Sequence, residues 1–213
     1  MKEITTYISA VGYLNKLFDL LNEHFFDNEL EPLTITIMST PAAYGHFSTR
    51  KDTWISSNGV SHELNIGAGT LARPIEELLS TLMHEMTHYY CHVHSIKDVS
   101  RGCMYHNKQF KKAAEAHALI VERHPKYGWS ITKASDELVA FAAEHKLLDI
   151  SITRNEFQWL RIPGLTGTSD KAIIKSKSNS RKYICPCCGN SVRATKLVNI
   201  ACMDCDEEMT CEY

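Results

Sequence analysis

The last 29 residues of this 213-residue chain hold six of its eight cysteines, which limits what that end can fold into. Four of the six form two C-x-x-C pairs: Cys185 and Cys188, then Cys202 and Cys205. A module this small has almost no hydrophobic core, so a bound metal must supply much of its folding free energy. The two pairs offer four thiolates to one tetrahedral structural zinc ion. We therefore predict a zinc ribbon over residues 183–213.

The remaining cysteines of the tail are secondary candidates. Cys187 lies inside the first pair and can replace a neighbour as ligand, whereas Cys211 is interpreted as a spare thiol. A short hairpin is expected between the two pairs, from Val192 to Ile200. A redox disulfide arrangement is the weaker alternative, because the four cysteines pair so regularly.

Composition excludes several classes of protein. With 44% hydrophobic and 23% charged residues the chain is not disordered throughout, and a net charge of -2 is not that of a simple polycation. The first 90 residues contain no cysteine, unlike a secreted disulfide scaffold. The sequence shows neither an apolar run of eighteen residues nor a signal peptide. We expect a cytoplasmic protein with no membrane partner, nucleoid-associated if it is bacterial or viral.

Hydrophobic spacing predicts a mixed, α+β fold. Apolar residues recur at three- and four-residue steps in four segments, which predicts helices over 6–27, 74–91, 106–123 and 135–147. Short β-branched or alternating segments predict strands over 33–38, 44–48, 54–56 and 62–66. A loop is expected from His92 to Tyr105.

A change of composition after Ile162 predicts a domain boundary. Residues 163–182 are rich in Ser, Thr and Lys and begin with Pro163 and Gly164. We interpret this segment as a basic flexible linker between a first domain, residues 1–162, and the ribbon.

The second chemical motif is His84-Glu85-Met86-Thr87-His88, on the second predicted helix. Residues four apart lie on the same face of a helix, so His84 and His88 can bind one zinc ion. A catalytic zinc has three protein ligands and one open position, at which it activates a water molecule. Glu85 is placed to accept the proton of that water as the general base of a peptide hydrolase.

Spacing alone leaves the third zinc ligand open. His94 follows His84 by ten residues, as in the metzincin pattern, but that pattern requires glycine where this chain has Cys91. His106, at the start of the third predicted helix, is the other candidate. Cys91 and Cys103 are interpreted as small buried apolar residues.

The segment from Leu71 to Phe110 resembles the SprT-like metalloproteases, whose eukaryotic members include the Spartan proteases. The resemblance rests on TLMHEMTHYY, KDVSRG and YHNKQFK and extends over nearly the whole chain. It implies a zincin-like protease domain in which His106 is the third zinc ligand and Phe110 anchors the following helix. Asn107 departs from the glycine usual in the family.

A basic segment is the candidate nucleic-acid contact. Seven positively charged residues and no acidic ones lie between positions 171 and 198: Lys171, Lys175, Lys177, Arg181, Lys182, Arg193 and Lys196. Cations in this number favour phosphate binding, and Tyr183 is a candidate for base stacking. The last ten residues are acidic, so a solvated linker beside a structural ribbon is the alternative.

Together these features predict a zinc metalloendopeptidase with one catalytic and one structural Zn²⁺. The resemblance implies that it acts on proteins bound or crosslinked to DNA, with single-stranded DNA as partner. The alternatives are a catalytically idle nucleic-acid-binding or transcription-associated zinc protein, and a general peptidase whose ribbon only adds stability.

Overall fold

The computed structural model describes residues 3–40, 43–57, 59–100, 104–155 and 181–212. The chain divides into two compact units, Met1–Leu165 and Thr166–Tyr213. Helices and several small sheets occur together, which confirms the predicted α+β class. Within the described ranges, no helix combines the length and the apolar character that a membrane span requires.

The predicted linker cannot be compared as a whole with the structure, since residues 163–180 lie outside the described residues. Its last two residues, Arg181 and Lys182, belong to the first strand of the second unit. Within the described residues, the strand that contains Tyr183 therefore begins two residues before the predicted start of the ribbon.

In its described residues the first unit has four helices and nine strands. The helices are α1 (Tyr7–Phe25), α2 (Ile75–Val93), α3 (Lys108–Ala116) and α4 (Asp136–Glu144). The strands are β1 (Thr34–Met38), β2 (Gly45–Ser48), β3 (Trp54–Ser56), β4 (Gly59–Ser61), β5 (Glu63–Gly67), β6 (Val99–Ser100), β7 (Tyr105–His106), β8 (Leu119–His124) and β9 (Gly128–Ala134).

Helix α2 lies at the centre of the first unit. Two glutamates in its first turn interact favourably with the positive end of the helix dipole. The side chain of Asp149 accepts a hydrogen bond from the Ile75 N–H at the start of the helix. Twelve of its nineteen residues are buried, so nearly every face contacts protein. The helix extends to Val93, two residues beyond the predicted end, and it therefore contains His92, which was expected in a loop.

Two sheets flank α2. In the first, of order β1-β5-β2, the central strand β5 is buried at all five residues, and β2 forms an edge. In the second, of order β6-β7-β9-β8, β7 pairs in parallel with β9 through His106 and Gly128. Since β2 and β9 both contact α2, they form two walls around its middle turns.

The predicted helix over 106–123 is wrong in its second half. Helix α3 ends at Ala116, and Ala118 has a left-handed backbone with φ of 56°. From Leu119 onward burial alternates, with Leu119 and Val121 inside and Ile120 and Glu122 outside, which is the period of a strand. Pairing with β9 holds this segment as β8. Pairing with the neighbouring strand therefore outweighs the helix propensity of residues 119–123.

The second unit is a small β structure around the cysteines. In the described part of this unit the strands are β10 (Arg181–Ile184), β11 (Ser191–Ala194), β12 (Ala201–Cys202), β13 (Glu207–Glu208) and β14 (Thr210–Glu212). The predicted hairpin over Val192–Ile200 is wrong, because β11 pairs with β10 before it. A turn through Gly189, whose φ of 74° suits glycine, reverses the chain between β10 and β11.

Candidate metal centre

Three histidine rings meet at the middle of α2. The Nε2 atoms of His84 and His88 are 3.3 Å apart, and each lies 3.1 Å from Nε2 of His106. Two nitrogen ligands of a tetrahedral zinc ion, at bond lengths of about 2.0–2.1 Å, are separated by about 3.3 Å. The three nitrogens therefore have the spacing of ligands to one metal ion, and these histidines can hold it.

The position of His106 depends on β7 and β9. Its backbone N–H donates to the carbonyl of Tyr127 at 2.9 Å, and it pairs with Gly128 in register. Gly128 has φ of 73°, and a Cβ there would overlap the His106 carbonyl and crowd the Tyr105 ring. Glycine thus lets β9 approach β7 closely enough to place the histidine over α2.

The structure brings His106 to the pair and leaves the other candidate, His94, outside it. The ring of His94 lies at the end of α2, where its Nε2 is 2.8 Å from Oε2 of Glu29. His106 belongs to β7, before the helix on which the resemblance placed it. Asn107 caps that helix by accepting hydrogen bonds from the N–H groups of Gln109 and Phe110. The asparagine that replaces the glycine usual in the family therefore stabilises the start of the helix.

Two of the three rings are oriented through their second nitrogen. Nδ1 of His88 donates to Oδ2 of Asp98 at 2.5 Å, and Nδ1 of His84 lies 3.1 Å from Oγ1 of Thr132. Such partners fix the ring and direct its other nitrogen toward a metal. Nδ1 of His106 is buried without a hydrogen-bond partner among the described residues.

Burial keeps two of the rings neutral at pH 7. It lowers the pKa of His84 well below the usual value, and the pKa of His106 to about 4, with neighbouring histidines adding to the effect. A neutral imidazole is the form that binds a metal ion. The neutral protonation state of these two rings is therefore the one expected of metal ligands, and not that of charged surface histidines.

Glu85 faces the same space from α2 without joining the histidine cluster. Its side chain is buried, and burial raises its pKa to about 7, although His88 and the backbone N–H of Phe47 act in the opposite direction. A carboxyl group with a pKa near the working pH is suited to accept and return a proton. Phe47 belongs to β2, so the edge strand helps to position this carboxylate.

A cleft of about 1450 Å³ opens over the histidines and Glu85. Residues Tyr44–Ser48 line it on one side, and Ser130–Ala134 of β9 line it on the other. A cleft of this size accommodates an extended peptide segment, since ligand sites of about 300–1,000 Å³ already enclose drug-sized molecules.

Other residues considered from the sequence lie as follows. Cys91 is buried and burial raises its pKa to about 12, in agreement with its interpretation as an apolar residue, while Cys103 lies outside the described residues. Trp54 and Tyr44 are partly exposed. Tyr44 lies under the Arg73 guanidinium, at 4.2 Å, in the wall of the cleft.

Sequence reasoning missed two contributors to the site. Thr132 lies 48 residues from its partner His84, and the Phe47 N–H is a backbone group. No local pattern marks either residue, because both come to the site through sheet pairing. Asp98 lies in the segment expected as a loop, and it bonds His88 directly.

The second metal-binding group is the predicted cysteine set. One ligand atom from each of Cys185, Cys188, Cys202 and Cys205 lies within 4.8 Å of the others. The backbone N–H of Cys188, and then that of Cys187, lowers the pKa of Cys185 to about 7. Burial raises the pKa of Cys202, and hydrogen bonding to the neighbouring thiols raises that of Cys205. These sulfurs fit one tetrahedral zinc ion and agree with a zinc ribbon.

The candidate DNA-binding residues are only partly described. Lys171, Lys175 and Lys177 lie outside the described residues, while Arg193 and Lys196 are exposed. Lys182 of β10 is directly opposite Arg193 of β11. Tyr183 is buried and accepts a hydrogen bond from the Val198 N–H at 3.0 Å, so the suggestion that it stacks on a base is wrong.

Comparison with known proteins agrees with this geometry. No curated protein matches the sequence. The profile of the SprT-like family matches residues 14–126, which include α2, His106 and α3 but not the ribbon. That family is of the metalloprotease type, and the matched part contains all three clustered histidines together with Glu85. The chain therefore belongs to the SprT-like family and contains a metalloprotease-like domain.

Proposed function

We propose that this protein is a zinc-dependent metalloendopeptidase that acts on proteins bound or crosslinked to DNA. The single observation that carries the proposal is the convergence of His84, His88 and His106 beside Glu85, in a cleft wide enough for a peptide. A structural cluster of histidines would require neither a buried carboxylate nor an open cleft next to it.

The residues of the cleft would divide the work as follows. The three histidines hold the zinc ion through Nε2, and Asp98 and Thr132 keep two of the rings aligned. When bound, zinc activates water and polarises the peptide carbonyl. A carboxylate oxygen of Glu85 accepts the proton of the attacking water and then gives it to the leaving amine. The hydrogen bond from the Phe47 N–H holds this carboxylate in place.

DNA association is proposed for the second unit, with the four cysteines holding a structural zinc. Lys182 and Arg193 are cross-strand neighbours, so the two cations lie close enough to contact one phosphate group. Arg181, Lys196 and the three lysines of the preceding segment would add further phosphate contacts.

The test compares one protein substrate in two forms, free and crosslinked to single-stranded DNA. Zinc-loaded protein should cleave the crosslinked form faster, and the double variant Lys182→Gln with Arg193→Gln should reduce this preference. Lys16→Gln with Lys146→Gln, which removes two charges from the first unit, is the control. Equal cleavage of both forms would instead indicate a general peptidase, and DNA binding without any cleavage would indicate the idle binding protein.

A further inference from the structure

Positive charge is concentrated in one part of the first unit. Residues 1–96 contain five basic and eleven acidic residues, whereas residues 97–133 contain eight basic and three acidic ones. Each of those three acids already has a partner: Asp98 bonds His88, Glu115 bonds Lys111, and Glu122 bonds Lys133. The other cations of the segment are therefore not neutralised by the acids of their own segment.

Five exposed cations remain among the described residues of this segment. These cations are Lys97, Lys108, Lys112, Arg123 and Lys126. Among the described residues, none of the five has a carboxylate within 4.0 Å. Lys108 begins α3, a position where the helix dipole disfavours a cation, and the first turn of α3 contains no acid. Local stability therefore does not explain the charge of Lys108.

The backbone brings four of these cations close together. The carbonyl of Lys97 accepts from Nδ2 of Asn107, and Lys108 follows directly. His106, the residue before Asn107, pairs with Gly128 at the tip of the β8–β9 hairpin, which also carries Lys126. Lys112 is one turn along α3 from Lys108, on the same helix face.

Aromatic rings lie among these charges. The Tyr127 ring is 39% exposed and stacks on His124 with centroids 4.8 Å apart, and Lys126 approaches the same ring at 5.0 Å. Further along β9, Trp129 lies under Lys111. Trp129 is half-buried against the core, so Tyr127 is the ring open to a ligand. Cations around an exposed aromatic ring are suited to a single strand, whose phosphates meet lysines and whose bases stack on rings.

We propose that this basic surface, defined by Lys97, Lys108, Lys112, Lys126 and Tyr127, is a second binding site for single-stranded nucleic acid. Tyr127 also lines the cleft, and its carbonyl bonds the His106 N–H. A strand bound here would pass the mouth of the cleft and present an attached protein to it. This last step rests on the proposed function, whereas the binding itself does not.

The test measures the affinity of the zinc-loaded full chain for a short fluorescent single strand, by anisotropy over a range of salt concentrations. The triple variant Lys108→Gln, Lys112→Gln, Lys126→Gln should reduce the slope of log K against log salt by about 2, from about 0.7 for each lost contact. Lys16→Gln, Lys51→Gln, Lys146→Gln removes the same charge elsewhere and should leave the slope unchanged. Equal slopes for the two triple variants would overturn the proposal.

A second variant tests the preference for single strands. Tyr127→Ala should weaken binding of the single strand by about five- to a hundredfold, the range for one stacked base, and should affect a duplex little. Tyr7→Ala, another exposed tyrosine, is the control. An equal loss for duplex, or equally tight binding of an acidic peptide, would contradict a single-strand site. Because these titrations read binding and not cleavage, their outcome is independent of whether the protein is a protease.

Discussion

At the scale of single residues, the site depends on groups that orient the histidines as much as on the histidines themselves. Asp98 fixes the ring of His88, and Thr132 lies against that of His84. The local motif indicated His84, Glu85 and His88, because residues one helical turn apart share a face. It did not indicate Thr132, since only strand pairing brings that residue to α2.

We expect Asp98→Asn to weaken zinc binding at the histidine site by about ten- to a hundredfold, the usual cost of losing such a partner. The asparagine amide keeps the shape of the aspartate carboxylate. It loses the negative charge that favours the hydrogen bond donated by the His88 Nδ1–H. Competition with a zinc-binding dye measures the affinity. Asp19→Asn, exposed on α1, should leave it unchanged, and an unaltered affinity in Asp98→Asn would show that Asp98 has no orienting role.

At the scale of elements, the third histidine is positioned by strand pairing between β7 and β9. The sequence pattern placed His106 at the start of a helix running to 123, because Phe110, Ala113 and Ala114 fit a helical face. The apolar pattern continues through Leu119 and Val121 with a period of two. In so short a segment, this period cannot be told apart from that of a helix. The sheet that holds His106 was therefore not predictable locally.

Gly128→Ala tests this pairing. The added Cβ meets the His106 carbonyl and must adopt a positive φ, so we expect a loss of more than about 1 kcal/mol in the free energy of unfolding, together with weaker zinc binding. Gly12→Ala is the control, because Gly12 lies exposed within α1 with nothing within 4 Å of its added Cβ. It should gain roughly 0.5–1 kcal/mol. Denaturant unfolding compares them, and an unchanged Gly128→Ala would contradict the close approach.

At the scale of the whole molecule, two separate groups of ligands lie in two compact units. The sequence indicated both groups, since C-x-x-C pairs and residues four apart on a helix are local patterns. It did not indicate how the ribbon strands pair, because β10 bonds β11 and β14 across turns with little pattern of their own.

Metal content tests the division between the two units. We expect about two zinc ions per full chain and about one after deletion of residues 171–213, since each group suits one ion. Replacing His84 and His88 with alanine in the full chain should also leave one. Plasma emission spectrometry on dialysed protein provides the count. Two ions in the truncated chain, or none, would contradict the assignment of one site to each unit.

The most direct test of the account concerns Glu85. Zinc-loaded wild type and Glu85→Gln are incubated with the DNA-crosslinked protein, and the fragments are identified by mass spectrometry. The amide cannot accept the proton of the attacking water, so the variant should keep its zinc and lose at least about a hundredfold in cleavage rate. Identical fragments at equal rates from both proteins, or no fragments from the wild type, would contradict the assignment of this cleft as a metalloprotease site.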